Sequence, residues 1–305
     1  MSIPYIVPRP LKQPLPYEGQ IDKLKTKHGL LIDDEAKAIT VLKQVNYYRL
    51  SAYGISLREP GNKDRYIAGT RFEQLYALYR FDFRLRQLLS AVLEGFEVEL
   101  RSRVCFHLAM TYGSEGFRNA ADFLSTVDQN GVLVHTSLMD KIDDAIRNGS
   151  RKPCVMHHNA EYGGRFPVWA SIELFTFGNL SSLFGIMLAK DQKAIAQQFG
   201  LLSVNQFNGW VLAFRDVRNR CAHNDRIYNM PLPQPVSLFP DDMKYAIHPS
   251  NRVFPVILAL KRVTSYANLW EWFFNELDLL LRVHPEVDLS RIGFPYGWKK
   301  ALAPK

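Results

Sequence analysis

The chain has 305 residues, of which 47% are hydrophobic and 22% charged, a balance that excludes a disordered or fibrous protein and leaves enough length for a real core. Its formal charge of +8 favours nucleic acid or another anionic surface as partner. Arg (22) outnumbers Lys (16), which suits phosphate recognition better than solubility alone.

Residues 1–20 carry Pro4, Pro8, Pro10, Pro14 and Pro16 without an apolar signal core and read as an extended Pro-rich arm. The spacing of Ala36, Ile39, Leu42 and Val45 predicts a helix over Asp33 to Leu50, running into an aromatic cluster from Asn46 to Gly54. After a polar segment, Glu59 to Gly69, Thr70 and Glu73 have the spacing of a capping box. That box opens the longest helical run, to about Met110, with Phe81, Leu85, Leu88, Val92, Phe96 and Leu100 on one face. Gly113 to Gly116 breaks it. Residues 117–165 are mixed, with a short helix near Ser137 to Arg147.

Pro167 opens an apolar helix toward Phe177, for which Gly178-Asn179 reads as the stop, and Leu180 to Leu188 resumes the pattern. Ser203 and Gln206 form a second capping box, starting the helix that carries Trp210, Leu212 and Phe214. Residues 230–250 are a Pro-rich connection, and Arg252 to Arg282 reads as one final long helix. No strand pattern persists. The expected class is all-α, with one helical domain over 21–285 and a tail at 286–305.

The segment Arg218-Asn219-Arg220-Cys221-Ala222-His223 lies at the end of the helix that Ser203 opens. Asn219 and His223 are i and i+4 and share a helix face, and the long Arg218 side chain can reach the same phosphate. These are the groups that metal-independent RNA cleavage needs. A guanidinium binds phosphate and stabilises developing charge, and an imidazole moves protons near neutral pH. Asn219 would orient the backbone or the imidazole. Other Arg–His pairs at similar spacing occur, Arg101 to His107 and Arg151 to His157 and His158, but only Arg218 is followed by Asn at the four-residue spacing. The competing reading is a helix end where Arg and His neutralise the dipole and cap carbonyls. With one such His per chain, two proton-transfer groups require a two-fold dimer, so a homodimer is expected.

Further candidates keep two readings each. Arg220 and Arg226 flank the motif and are candidate RNA ligands. Tyr47, Tyr48 and Arg49 could stack bases and grip phosphate, or the tyrosines could pack on the core. Arg80, Arg84 and Arg86 could hold RNA backbone or pair with Asp82. Glu97, Glu99, Arg101 and Arg103 could orient the motif Arg or form a solvated ion-pair face. His157-His158 near Cys154 is a faint metal signal without further ligands, so no metal and no cofactor are expected. There is no P-loop, GxGxxG, nucleophile elbow or HExxH. Three cysteines cannot all pair and none forms a CxxC, which fits a cytoplasmic protein, and no membrane span is evident.

Four ordered blocks carry a family resemblance. They are Val45-Asn46-Tyr47-Tyr48-Arg49-Leu50-Ser51-Ala52-Tyr53, Tyr79-Arg80-Phe81-Asp82-Phe83-Arg84-Leu85-Arg86, Phe166-Pro167-Val168-Trp169-Ala170 through Phe177-Gly178-Asn179-Leu180-Ser181, and Arg218 to Asn229. Together they closely resemble the Abi family of bacterial abortive-infection proteins over about residues 21 to 285. The resemblance implies a HEPN-type helical bundle with an R-N-x-x-x-H ribonuclease motif, carried here by Arg218, Asn219 and His223. It also implies phage defence, growth arrest by RNA cleavage, and neutralisation in some relatives by an antitoxin RNA or protein partner. Ala52 departs from the family, which commonly has Gly there. The alternative function is an RNA-binding or interaction module that does not cleave.

Overall fold

The structure is a computed structural model that describes residues 11–201, 203–246 and 251–304. Residues 1–10 of the expected arm lie outside the described residues, and from Tyr17 its last residues are helical and not extended. The protein is all-α: among the described residues β pairing is confined to isolated bridges such as Leu31 with Arg71 and Arg58 with Tyr66. It divides into two compact units, Met1–Asp82 and Phe83–Lys305.

The first unit is built from α1 (Tyr17–Thr26), α2 (Glu35–Gln44), α3 (Tyr47–Tyr53) and the start of α4 (Phe72–Tyr112). Its core joins Ile21 and Leu24 of α1, Val41 and Leu42 of α2, and Leu50, Tyr66 and Leu75. The helix predicted over Asp33 to Leu50 is two helices. Val45 is extended, and the Asn46 side chain accepts a hydrogen bond from the Tyr48 amide at 2.7 Å, capping a new helix. Local side-chain bonding here overrides a continuous apolar period. The expected Thr70–Glu73 capping box does not form. Thr70 Oγ1 donates to the Ile67 carbonyl, and Gln74 Oε1 accepts from the Arg71 amide at 2.8 Å instead.

The second unit contains the rest of α4, then α5 (Val134–Asn148), α6 (Pro153–Glu161), α7 (Val168–Ser171), α8 (Phe177–Ile186), α9 (Ala189–Gln198), α10 (Val204–Ala222), α11 (Pro240–Met243), α12 (Val253–Val263), α13 (Ala267–Val283) and α14 (Trp298–Leu302). Helix α12 is apolar and entirely buried from Val253 to Leu260, as a helix at the centre of a core must be, and only its last turn carries charge, on Lys261 and Arg262. Helix α10 packs against α8, α9 and α12. Phe96 of α4 lies among Phe177, Phe199, Phe207 and Phe214, with ring centroids 4.8–6.3 Å away. Beside it, Gly95 lets α13 approach, since a Cβ there would sit 3.0 Å from Leu269 Cδ2.

Several sequence readings are corrected in this unit, among them the helix expected from Pro167 toward Phe177, which is α7 and then a 3-10 turn, Ile172–Leu174. Gly178-Asn179 is not a stop but the first turn of α8, because Thr176 Oγ1 accepts from the Asn179 amide at 3.1 Å. The long final helix breaks at Thr264–Tyr266 into α12 and α13. The residues expected as a tail include α14, where Trp298, Ala301 and Leu302 are buried and the Trp270 indole donates to the Leu302 carbonyl at 2.9 Å.

Candidate functional site

Helix α10 starts as its sequence predicts: Ser203 Oγ accepts from the Gln206 amide at 3.2 Å. Its inner face is Phe207, Trp210, Val211, Phe214, Val217 and Cys221, all buried at helical spacing. That stripe leaves Arg218, Asn219 and Arg220 partly exposed around its edge, and His223 follows as the exposed residue that closes the helix.

The helix end is a Schellman motif. Asn224, in the left-handed conformation at φ 58°, donates its amide to the Cys221 carbonyl at 3.2 Å, and the Asp225 amide reaches the Arg220 carbonyl at 2.8 Å. Asn tolerates this conformation better than any residue but Gly. The terminal carbonyls of Arg220 and Cys221 are thus met by backbone, not by the Arg218 or His223 side chains. His223 has φ −89° and ψ 6°, its amide bonds to the Asn219 carbonyl, and its imidazole makes no hydrogen bond among the described residues. The reading of Arg and His as side-chain caps does not describe this helix end.

Arg218 is fastened from across the core. Its Nε lies 3.1 Å from Glu97 Oε2, and the other oxygen of the same carboxylate takes Arg101 Nη2 at 2.9 Å. Glu97 is 9% exposed and Arg218 35%, so the carboxylate is buried while part of the guanidinium still faces solvent. Arg101 is itself fixed to the Phe175 carbonyl at 3.1 Å. Of the two readings of Glu97 and Arg101, the structure shows a largely buried ion pair in contact with the motif arginine, not a solvated face. Glu99 and Arg103 pair with each other, and Arg103 lies 3.8 Å over the Phe199 ring, so they brace α4 without touching the motif.

The turn after α10 is held just as firmly. Arg86 is buried at 3% exposure, and its Nη1 stands 3.5 Å from the Asp225 carbonyl. This removes Arg86 from the solvent-facing cations. Arg226 Nη2 contacts Met230 Sδ at 3.0 Å, Ile227 and Tyr228 are buried, and Asn229 is again left-handed at φ 55°. Arg220 Nη2 donates to the Pro231 carbonyl at 2.9 Å and ties down the start of the Pro-rich connection. Arg218, Asn219, Arg220, His223 and Arg226 therefore share one helix end.

The remaining candidates divide between the units. Arg84 is exposed in the second unit and bonds Gln87 at 3.2 Å. Tyr47, Tyr48, Arg49 and Arg80 belong to the first unit. Tyr47 packs on that unit's core, with Lys23 Nζ 5.5 Å from its ring centre, and burial raises its hydroxyl pKa. Tyr48 is 85% exposed, and Arg80 lies over the Tyr76 ring. The neighbouring Asp82 is fully buried and accepts from the Tyr53 hydroxyl at 2.7 Å. Among the described residues no group of three His, Cys, Asp or Glu could hold a metal ion, and the His158 ring lies against Tyr162 and Phe166. No helix of the described residues is long and apolar enough to cross a membrane.

The class defined by these features is an all-helical protein that presents an imidazole, an amide and a partly exposed guanidinium at one rigid helix end. The chain belongs to the Abi-like protein family, whose model matches residues 40–229, from within α2 to the second left-handed asparagine. No curated protein and no solved structure matches it.

Proposed function

We propose that this protein is a metal-independent endoribonuclease of the HEPN type, acting in the cytoplasm as a toxin-like effector of bacterial abortive-infection defence against phage. The observation that carries this reading is the exposed His223 imidazole, without a hydrogen bond among the described residues, on a Schellman-capped helix end, one turn from Asn219 and beside an Arg218 whose Nε is anchored to buried Glu97.

In the proposed reaction the 2′-oxygen attacks the adjacent phosphorus and the 5′-oxygen leaves. One His223 imidazole takes the 2′-hydroxyl proton, and the same residue of a second copy, protonated, gives a proton to the 5′-oxygen. Arg218 binds the phosphate and stabilises the pentacoordinate charge. Asn219 orients the substrate or the imidazole. Products carry 2′,3′-cyclic phosphate and 5′-hydroxyl ends. Family membership supports the defence role, and an antitoxin RNA or protein would act on the same basic helix end.

The test is incubation of the wild type, Arg218→Ala and His223→Ala with total bacterial RNA in EDTA, after circular dichroism shows equal folding. Cleavage by the wild type alone is expected. Equal cleavage by all three would move the chemistry to other residues. RNA binding without cleavage by any of them would favour a non-cleaving RNA-binding module.

A further inference from the structure

A cleft lies wholly within the first unit. It has a volume of about 560 Å³ and is lined by Tyr48, Ser51, Ile55, Arg58, Glu59 and Lys63 among others, within the range of small-molecule sites, about 300–1,000 Å³. One wall is α3, which the Asn46 cap forces to restart, and this turns Tyr48 outward at 85% exposure. The other wall is the loop 59–65, closed at its base by the Glu59 amide on the Arg65 carbonyl at 3.0 Å.

Arg58 sits between the walls and is built in rather than free to roam. Its guanidinium lies 5.4 Å from the centre of the buried Tyr66 ring, and Nη1 donates to the Lys63 carbonyl. Its Nε is buried and has no hydrogen-bond partner among the described residues. Tyr66 in turn needs Gly54, where a Cβ would come within 2.6 Å of the phenol oxygen. The cleft therefore combines a large solvent-facing π surface with an immobilised guanidinium and the Lys63 ammonium, against the single carboxylate of Glu59. An exposed aromatic stacks unpaired bases, and adjacent cations take the connecting phosphate.

We propose that this cleft binds an unpaired nucleotide of single-stranded RNA, with the base on Tyr48 and the phosphate between Arg58 and Lys63. It would give the protein an RNA-recognition site on a different unit from the His223 motif. The inference rests on the reading that the protein acts on RNA, but not on its cleaving RNA.

The test uses the full chain carrying His223→Ala, so that the probe survives, and follows fluorescence anisotropy of a labelled 12-nucleotide single-stranded RNA of mixed sequence. Adding Tyr48→Ala should raise Kd by about five- to a hundred-fold, the effect of losing one base stack. Lys63→Glu should weaken binding and lower the slope of log Kd against log salt by about one. A Tyr48→Ala Kd within twofold of its parent, or no binding by the parent, would overturn the proposal. Wild-type cleavage of total RNA is scored separately. Cleavage without Tyr48-dependent binding sinks this site alone, and Tyr48-dependent binding without cleavage sinks the nuclease alone.

Discussion

Replacing Glu97 by Gln keeps the side chain's length and volume but removes the charge shared by Arg101 and Arg218. An amide can offer one oxygen to one guanidinium, and its NH2 then faces the donors of the other. Breaking a buried ion pair by removing one partner costs about 3–5 kcal/mol. Here Arg101 is 13% exposed but Arg218 is 35% exposed, so solvent recovers part of that loss and about 2–3 kcal/mol is expected. At about 2–4 °C per kcal/mol for a domain of this size, Tm should fall by about 4–12 °C. The functional effect should be larger than the thermal one, because a guanidinium displaced by about 1 Å can cost on the order of a hundredfold in rate. The assay pairs a thermal melt with single-turnover RNA cleavage for Glu97→Gln, Arg218→Ala and the double variant. The two substitutions should be far from additive, as expected for groups in one network. Cleavage by Glu97→Gln within threefold of wild type, with Arg218→Ala inactive, would show that Glu97 does not position Arg218.

Asn224→Gly should leave stability and cleavage nearly unchanged, whereas Asn224→Val should cost about 1–2 kcal/mol, read from chemical denaturation, because a β-branched residue resists φ 58°. Burial, together with the hydrogen bond to Asp191 and its charge, pushes the Tyr112 hydroxyl up to about 12. A raised folded-state pKa contributes stability that is complete below the ordinary tyrosine value, about 10, and is lost as pH rises through about 12. Melting curves between pH 8 and 12 should show that loss, and Tyr112→Phe should flatten it. If two copies of His223 complete the site, specific cleavage activity should fall on dilution in step with dimer dissociation followed by analytical ultracentrifugation. Constant specific activity in a monomeric sample would exclude the composite site.

The all-α class and the apolar stripes were legible in the sequence because periodicity reports burial directly. What it blurred were the breaks. The period of α2 runs on into α3, and that of α12 into α13, without a Gly or Pro to mark either gap. The first gap is set by the Asn46 side chain on its own local backbone, a signal that sits in one residue and not in a pattern. Gly178-Asn179 misled for the related reason that Gly is as compatible with a first turn as with a stop, and only the Thr176 cap decides between them.

The motif itself was legible, but what makes it rigid was not. Arg86, Glu97 and Arg101 each stand one position after a stripe residue of α4, namely Leu85, Phe96 and Leu100. Periodicity assigns such flanking positions to the edge of the buried face, where solvated and internal ion pairs have the same spacing. Only the packing of α10 against this edge separates the two. Arg86 and Glu97 are about three helical turns apart and so lie on the same side of α4. From there Glu97 meets Arg218 at 3.1 Å inside α10, and Arg86 stands 3.5 Å from the Asp225 carbonyl beyond its end. One rigid helix thus grips the motif before and after His223. The backbone on both sides of the exposed His223 is held by groups that are themselves buried. In the proposed mechanism this fixes the backbone of the acid–base residue, and contacts with substrate or a second copy would have to fix its ring.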